Sequence, residues 1–278
     1  MGVDGIGEIH VLSHTTDGSP PWADATTMSS RPQSNFAPPS TRLTIHDLRG
    51  KEKNFNLDIN AFELHKYDGS MNAEFDEDTE AQRIYFEEMS SFLKKRLGAS
   101  RVIIFNHTFR YRDPSRADDQ CDLKHKNPAI LPHVDYDLPS ARLKVIQILG
   151  EEEGNKLMQK RFQLVNIWRP IGPNPIKNHP LTVCDYTSID VENDVHTLEI
   201  RASIASVSGL TISRNAQDTQ KWYYQSEMQS DEMFLMKMYD SNPNVAQYCF
   251  HTSFQNEYIP PSNDEQKSLE VRCLVIYD

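Results

Sequence analysis

Residues 129–139 read AILPHVDYDLP, an apolar, proline-bounded segment in which a histidine and an aspartate stand two apart. In extended backbone, side chains at i and i+2 point to the same face. His133 and Asp135 therefore bring an imidazole nitrogen beside a carboxylate oxygen. Alone, such a pair has two readings: a hydrogen-bonded couple at a strand end, or two ligands of a metal site. The residues around it and far from it have to choose.

The chain has 278 residues, 38% hydrophobic and 25% charged, enough for one large domain or two small ones with a sizeable core. Its formal net charge of −11 argues against nucleic acid or an anionic membrane surface as the main partner, because both are recognised by clustered Lys and Arg. The longest apolar runs, VIIF and LVIY, are strand-sized and far too short to span a membrane. No basic segment followed by an apolar one opens the chain, and position 6 is Ile, which breaks the myristoylation pattern. The four cysteines, Cys121, Cys184, Cys249 and Cys273, are widely spaced and read as reduced thiols of a cytoplasmic protein.

Residues 1–41 are rich in Pro, Ser and Thr and read as an N-terminal arm, either disordered or draped over the domain, with Trp22 and Phe36 favouring draping. Residues 42–278 read as a single domain. Thr79 and Gln82 match a capping box, Tyr85, Met89, Phe92, Leu93 and Leu97 recur at helical spacing, and Gly98 ends the pattern. ASRVIIFNHTFRYR follows as a strand, with His107 as a core or hydrogen-bonding histidine. Pro139 suits the first turn of a helix running to about Leu149, and GEEEGNK reads as a solvated face. From Phe162 onward the pattern is one of many short strands, which points to a sandwich or open barrel. Without βαβ alternation, a Gly-rich phosphate loop or G-x-S-x-G, dinucleotide binding and serine-hydrolase chemistry have no foothold.

Two histidines and one carboxylate on a small β-barrel hold Fe(II) by one face and leave three positions open. The third ligand is then expected on a late strand, where His251 stands in AQYCFHTSF. In SLEVRCLVIYD, Ser268, Glu270 and Arg272 share one strand face and Leu269, Val271, Cys273 and Val275 the other. An arginine so placed needs a partner. Either Glu270 supplies it, or the guanidinium fork grips a ligand carboxylate.

HVDYD, NIWRP, LTVCDYTSID, KWYYQ, DEMFLMKMYDS, FHTSF and SLEVRCLVIYD, with the earlier TIHDLRGKEKNFNLDINAFEL and IIFNHTFR, together resemble the gibberellin-desaturase-like, AsaB-type hydroxylase/desaturase family. The resemblance runs from about residue 42 to the end. It implies a mainly β fold with flanking helices, a double-stranded β-helix (jelly-roll, cupin-like) oxygenase core using Fe(II), 2-oxoglutarate and O2. It implies a small specialised-metabolite or amino-acid-like substrate, undergoing hydroxylation, desaturation or ring closure such as aziridine formation. Carried over residue by residue, His133, Asp135 and His251 become the metal triad and catalytic centre, and Arg272 the cosubstrate anchor. Asn166 is expected to hold the cosubstrate carboxylate near the iron and Trp168 to wall the pocket. Arg142 or Arg169 is expected to meet a substrate carboxylate. The long separation of the ligands implies an insertion within residues 150–230. That insertion and the arm, carrying Trp22, Trp222, Tyr223 and Tyr224, are expected to close the barrel mouth. Two rivals stand beside this reading: a cupin-like metalloenzyme without 2-oxoglutarate, and a non-catalytic protein with a structural metal.

Overall fold

The stretch FQLVNIWRPI, residues 162–171, is buried at every position, as a strand covered on both faces must be. Its alternation shows how. Phe162, Leu164 and Trp168 enter one hydrophobic core, while Val165, Ile167 and Ile171 enter a second. The computed structural model describes residues 2–24, 33–37, 41–112, 125–201, 206–214 and 217–278.

Among the described residues the strands are β1 (Gly5–Ile9), β2 (Trp22–Asp24), β3 (Thr41–Asp47), β4 (Phe62–Lys66), β5 (Arg101–Arg112), β6 (His125–Lys126) and β7 (Phe162–Ile171). They continue as β8 (Leu181–Cys184), β9 (Val195–Arg201), β10 (Val207–Ile212), β11 (Trp222–Tyr224), β12 (Glu232–Asp240), β13 (His251–Ser253) and β14 (Gln266–Ile276). The helices are α1 (Leu57–Asn60), α2 (Glu80–Leu97), α3 (Leu138–Leu149) and α4 (Glu151–Leu157).

Two curled sheets carry the molecule, one of six strands in the order β4-β12-β7-β14-β5-β6 and one of five in the order β1-β3-β11-β8-β13. The first core lies between them: Phe234, Met236 and Leu274 of the larger sheet meet Ile45, Trp222, Val183 and Phe254 of the smaller side. The second core lies behind the larger sheet, where Tyr85, Met89 and Leu93 of α2 cover Val165, Leu235, Leu269, Val271 and Cys273. This is the mainly β, double-stranded β-helix architecture expected from the motifs. No helix among the described residues is long and apolar enough to cross a membrane.

The expected helices form for the expected reasons. Thr79 caps α2 by accepting from the Gln82 N–H, and Gly98 ends it at φ 65°, a left-handed conformation that favours glycine. Asp137 and Ser140 close a capping box on α3, with Pro139 in the first turn. The acidic stretch after it becomes α4, with Glu151–Glu153 in its first turn and Gly154 and Leu157 buried.

The N-terminal residues are more closely tied in than an arm laid on the surface. β1 pairs antiparallel with β3, and β2 pairs parallel with β9 in a third sheet, β10-β9-β2. Gly7 is required there, since a Cβ would stand 2.5 Å from the Gln255 carbonyl oxygen. Trp222 and Tyr224 are core residues of β11 instead of lining a mouth. Trp22, by contrast, does sit on the third sheet, beneath the Arg201 guanidinium at 3.9 Å. Cys184, Cys249 and Cys273 are buried free thiols; Cys121 falls outside the described residues.

Candidate metal centre and its cavity

The segment Pro132–Val134 joins two sheets. His133 exchanges both backbone hydrogen bonds with His251 of β13, each 3.1 Å, and Val134 does the same with Leu210 of β10 at 2.9 and 3.1 Å. Successive residues bond to opposite neighbours, so His133 and Asp135 share one face while Val134 is fully buried on the other. The antiparallel bridge puts the two imidazoles directly opposite, with ring centroids 4.4 Å apart. One ligand atom from each of His133, Asp135 and His251 lies within 4.8 Å of the others.

The second ring nitrogens are already engaged. His133 Nδ1 is 2.8 Å from the Leu131 carbonyl oxygen, and His251 Nδ1 is 3.2 Å from that of Cys249. Both carbonyls can only accept, so each Nδ1 carries the proton and each Nε2 keeps its lone pair for a metal. Burial, with His251 alongside, pushes His133 down to about 4, so it is neutral at neutral pH. Asp135 is held from the side. Its Oδ2 accepts from Arg272 Nε at 2.8 Å and from Asn166 Nδ2 at 3.0 Å, which leaves Oδ1 facing His133. Burial works to raise this carboxyl, but Arg272 outweighs it and holds the group well below the usual range. Two neutral imidazoles and one fixed carboxylate oxygen fit a divalent iron bound by one face.

The inner face of the larger sheet supplies the surroundings in three cross-strand rows: Asn166–Arg272–Asn106, then Trp168–Glu270–Thr108, then Ser268–Arg110–Lys126. A small, partly open cavity is lined by His133, His251, Trp168, Glu270, Arg110 and Arg112, among others. Arg272 is thus brought to the site, yet its guanidinium is spoken for by Asp135 and by Glu270 at 2.5 Å. Asn166 spends its amide on Asp135 and Glu270. Trp168 walls the cavity, with the Arg112 guanidinium 5.3 Å from its ring centre.

Arg110 and Arg112 were not singled out from the sequence. Arg110 donates to the Asn127 carbonyl, and Arg112 to the His179 carbonyl and the Ser268 hydroxyl. Neither has a carboxylate partner among the described residues. Burial, then Arg110 beside it, pushes Arg112 down to about 9, still cationic at neutral pH. The signal was present in FRYR, where alternation puts two arginines on one strand face.

The two substrate-side arginines are not brought to the cavity. Arg142 is exposed on α3. Arg169 is fully buried on the opposite face of β7, because strand parity sets it against Asn166 and Trp168. There its guanidinium stacks on Tyr67 at 3.9 Å and donates to the carbonyls of Ser230 and Met71. Arg169→Met is therefore expected to cost about 2 kcal/mol or more of stability by leaving buried carbonyls unpaired. Urea unfolding would read that loss, with ligand affinity in the surviving folded protein unchanged.

Gly209 fixes how β10 approaches the ligands. A Cβ there would lie 2.5 Å from the Val134 carbonyl oxygen and 3.4 Å from that of Asp135. Thr211 adds a hydrogen bond to the Pro132 carbonyl, 2.9 Å. Gly209→Ala must push β10 or the ligand segment aside, and metal affinity is expected to fall roughly tenfold to a hundredfold, as for loss of an outer support of a metal ligand. Titration with Co(II), followed by its visible absorption, measures it; an unaltered affinity would show that the segment holds its place without β10. A larger open depression near Asp47 and Glu232 shares no residue with this site, and its Glu232 and Asp231 are already paired with Arg49 and Lys66.

Comparison with known proteins places this geometry. The family model described as "Oxidoreductase/YMDC permease-like domain" matches residues 9–276. The hydroxylase/desaturase efuI of Hormonema carpetanum is 30% identical over 254 residues, covering 85% of this chain and 83% of that protein. The hydroxylase/desaturase CTB9 of Cercospora beticola is 31% identical over 255 residues, covering 85% and 76%. Among solved structures, the iron and alpha-ketoglutarate-dependent endoperoxidase NvfI aligns with a TM-score of 0.75 at 24% identity over 99% of this chain and 97% of its own, a likeness of fold. With a model matched almost end to end and relatives alike over most of both lengths, the chain belongs to the oxidoreductase/YMDC permease-like family, alongside these fungal hydroxylase/desaturases.

Proposed function

We propose that the protein is an Fe(II)/2-oxoglutarate-dependent oxygenase acting on a small organic metabolite. His133, Asp135 and His251 hold the iron, and Arg112 takes the role first given to Arg272, anchoring the far carboxylate of 2-oxoglutarate. The observation that carries this is the half-buried Arg110 beside the buried Arg112, without carboxylate partners among the described residues, in the cavity shared with the two histidines. An uncompensated buried cation is costly unless a ligand neutralises it. A metal site without a dicarboxylate has no use for such a pair, which disfavours the rival enzyme. A purely structural metal would be enclosed by a fourth protein ligand, and the triad has none among the described residues.

Once bound, iron, 2-oxoglutarate and O2 supply the oxidising chemistry, with the cosubstrate converted to succinate and CO2. The chain's own residues perform the rest. Arg272 and Asn166 hold Asp135 to one free oxygen, so three metal positions stay open. Ser268 steadies the Arg112 fork through the hydrogen bond between them, 2.8 Å. Trp168 closes the cosubstrate side. The third sheet, formed by β2, β9 and β10, covers the ligand segment and limits water. The relatives named as Fe(II)/2-oxoglutarate-dependent, such as nvfI of Aspergillus novofumigatus, 26% identical over 249 residues, support the reading. A cytoplasmic setting keeps the buried thiols reduced.

The test is anaerobic titration of the Fe(II)-loaded protein with 2-oxoglutarate. A charge-transfer absorption is expected as the ketoacid chelates the iron, and succinate after O2 is admitted with a range of small organic acids. Absence of both the absorption and saturable 2-oxoglutarate binding would exclude the function.

A further inference from the structure

We infer that Arg110 and Lys126 form a second anion subsite, which takes a carboxylate of the organic substrate while Arg112 serves the cosubstrate. The inference rests on the oxygenase reading above and names the class of molecule that its site accepts.

Lys126 is the cross-strand neighbour of Arg110 in the β5–β6 pair, so the two side chains leave the same face side by side. Lys126 is half-buried and makes no hydrogen bond or ion pair among the described residues. Two adjacent cations of this kind repel one another, and burial weakens the solvent screening that would make that tolerable. Burial lowers the pKa of both, and Arg110 lowers that of Lys126 further. Such an arrangement persists where an anion is meant to sit between the two groups.

The charges around the iron site reach the same conclusion. Arg110, Lys126 and Arg272 interact with Asp135 and Glu270, and Arg112 adds its charge beside Arg110. Fe(II) and a 2-oxoglutarate dianion cancel one another, so binding both leaves the surplus of positive charge in place. Arg272 is matched by Asp135 and Glu270, and Arg112 by the cosubstrate. Among the described residues, Arg110 and Lys126 are the cations left over. A third cation, Lys144, lies 5.7 Å above the Phe105 ring further along the same sheet face. Phe105 itself stands edge-on to Tyr136 at 6.5 Å. The β-bulge between Arg272 and Cys273 sets Phe105 on the inner side together with Asn106, whose side chain meets Arg272. The substrate this surface fits is an organic acid whose carboxylate meets Arg110 and Lys126 and whose apolar body extends toward the aromatic pair. An amine or a neutral terpene hydrocarbon would leave the two cations unanswered.

The test uses protein loaded with Mn(II) and N-oxalylglycine, an unreactive analogue of 2-oxoglutarate, and titrates it calorimetrically with 3-phenylpropionate and with its neutral amide. The acid is expected to bind at least about tenfold more tightly than the amide, the gain typical of a charge-assisted hydrogen bond. Lys126→Gln should erase the preference and leave N-oxalylglycine affinity intact, while Lys126→Arg should retain both. Equal binding of acid and amide, or none of either, would overturn the subsite. So would a preference that survives in both Lys126→Gln and Arg110→Gln. Loss of N-oxalylglycine affinity in Lys126→Gln would hand the lysine to the cosubstrate and overturn it as well. Failure of wild-type protein to bind N-oxalylglycine is a different result: it removes the oxygenase reading, and this inference with it.

Discussion

Asp135→Ala will give a folded protein that binds divalent metal at least about a hundredfold more weakly and forms no succinate. The expectation exceeds the tenfold to hundredfold loss typical of outer-shell supports, because the residue itself supplies a metal ligand. Asp135 is also the sole anion among the three ligands, and it faces a site crowded with Arg110, Arg112 and Arg272. Removing it leaves two neutral imidazoles to hold a dication against those guanidiniums. The fold should survive, since Arg272 retains Glu270 at 2.5 Å and the Asn106 and Thr108 side chains. Co(II) titration and succinate chromatography read the two effects, and circular dichroism checks the fold. Metal affinity near that of the wild type would mean that the three residues are not the ligand set.

Arg112→Met will weaken 2-oxoglutarate by roughly tenfold to a hundredfold, the equivalent of about 1.5–3 kcal/mol for a hydrogen bond to a charged group. Stability should change little, because removing a buried cation without a carboxylate partner among the described residues offsets the hydrogen bonds lost to His179 and Ser268. Arg272→Lys is the informative contrast. Lysine keeps the charge but not the fork, so the bonds to Asp135, Glu270, Asn106 and Thr108 cannot all be kept. Its main effect should fall on metal affinity, through a loosened Asp135, with 2-oxoglutarate affinity in the metal-saturated protein changed by only a few fold. Calorimetric titration of 2-oxoglutarate into Mn(II)-saturated variants separates the outcomes. If Arg272→Lys loses the cosubstrate and Arg112→Met does not, the anchor is Arg272 after all.

The contrast between these arginines marks how far the sequence could be read. Parity along one strand is a local property, and it served well: His133 with Asp135, and Ser268 with Glu270 and Arg272, do share faces. Parity also set Arg169 opposite Asn166 and Trp168, which already spoke against giving it a role in the same cavity. What parity does not contain is cross-strand register. Whether Arg272 lies opposite Asn106 or Arg110 is decided by a bulge on β5 and by turns elsewhere, not by residues near Arg272. Its capture by Asp135 and Glu270, and the lack of a carboxylate partner for Arg112 among the described residues, were therefore invisible. The helices were easier, because their caps lie within a few residues of the pattern that they end. β1 and β2 were hardest: short, Gly- and Pro-flanked, and paired with strands whose own sequence gives no hint of them.

Those distant pairings set an order of assembly. β2 precedes its partner β9 by most of the length of the fold, since Trp22 pairs with Glu199. β3 waits as long for its parallel neighbour β11, and His133 waits for His251. Contacts so far apart in sequence make folding slow and leave strand edges exposed in the meantime. The proposed iron site cannot exist before β13 is made, so metal capture serves as a marker that His133 and His251 have met. A growing chain that has not yet finished its barrel offers iron two ligands at most.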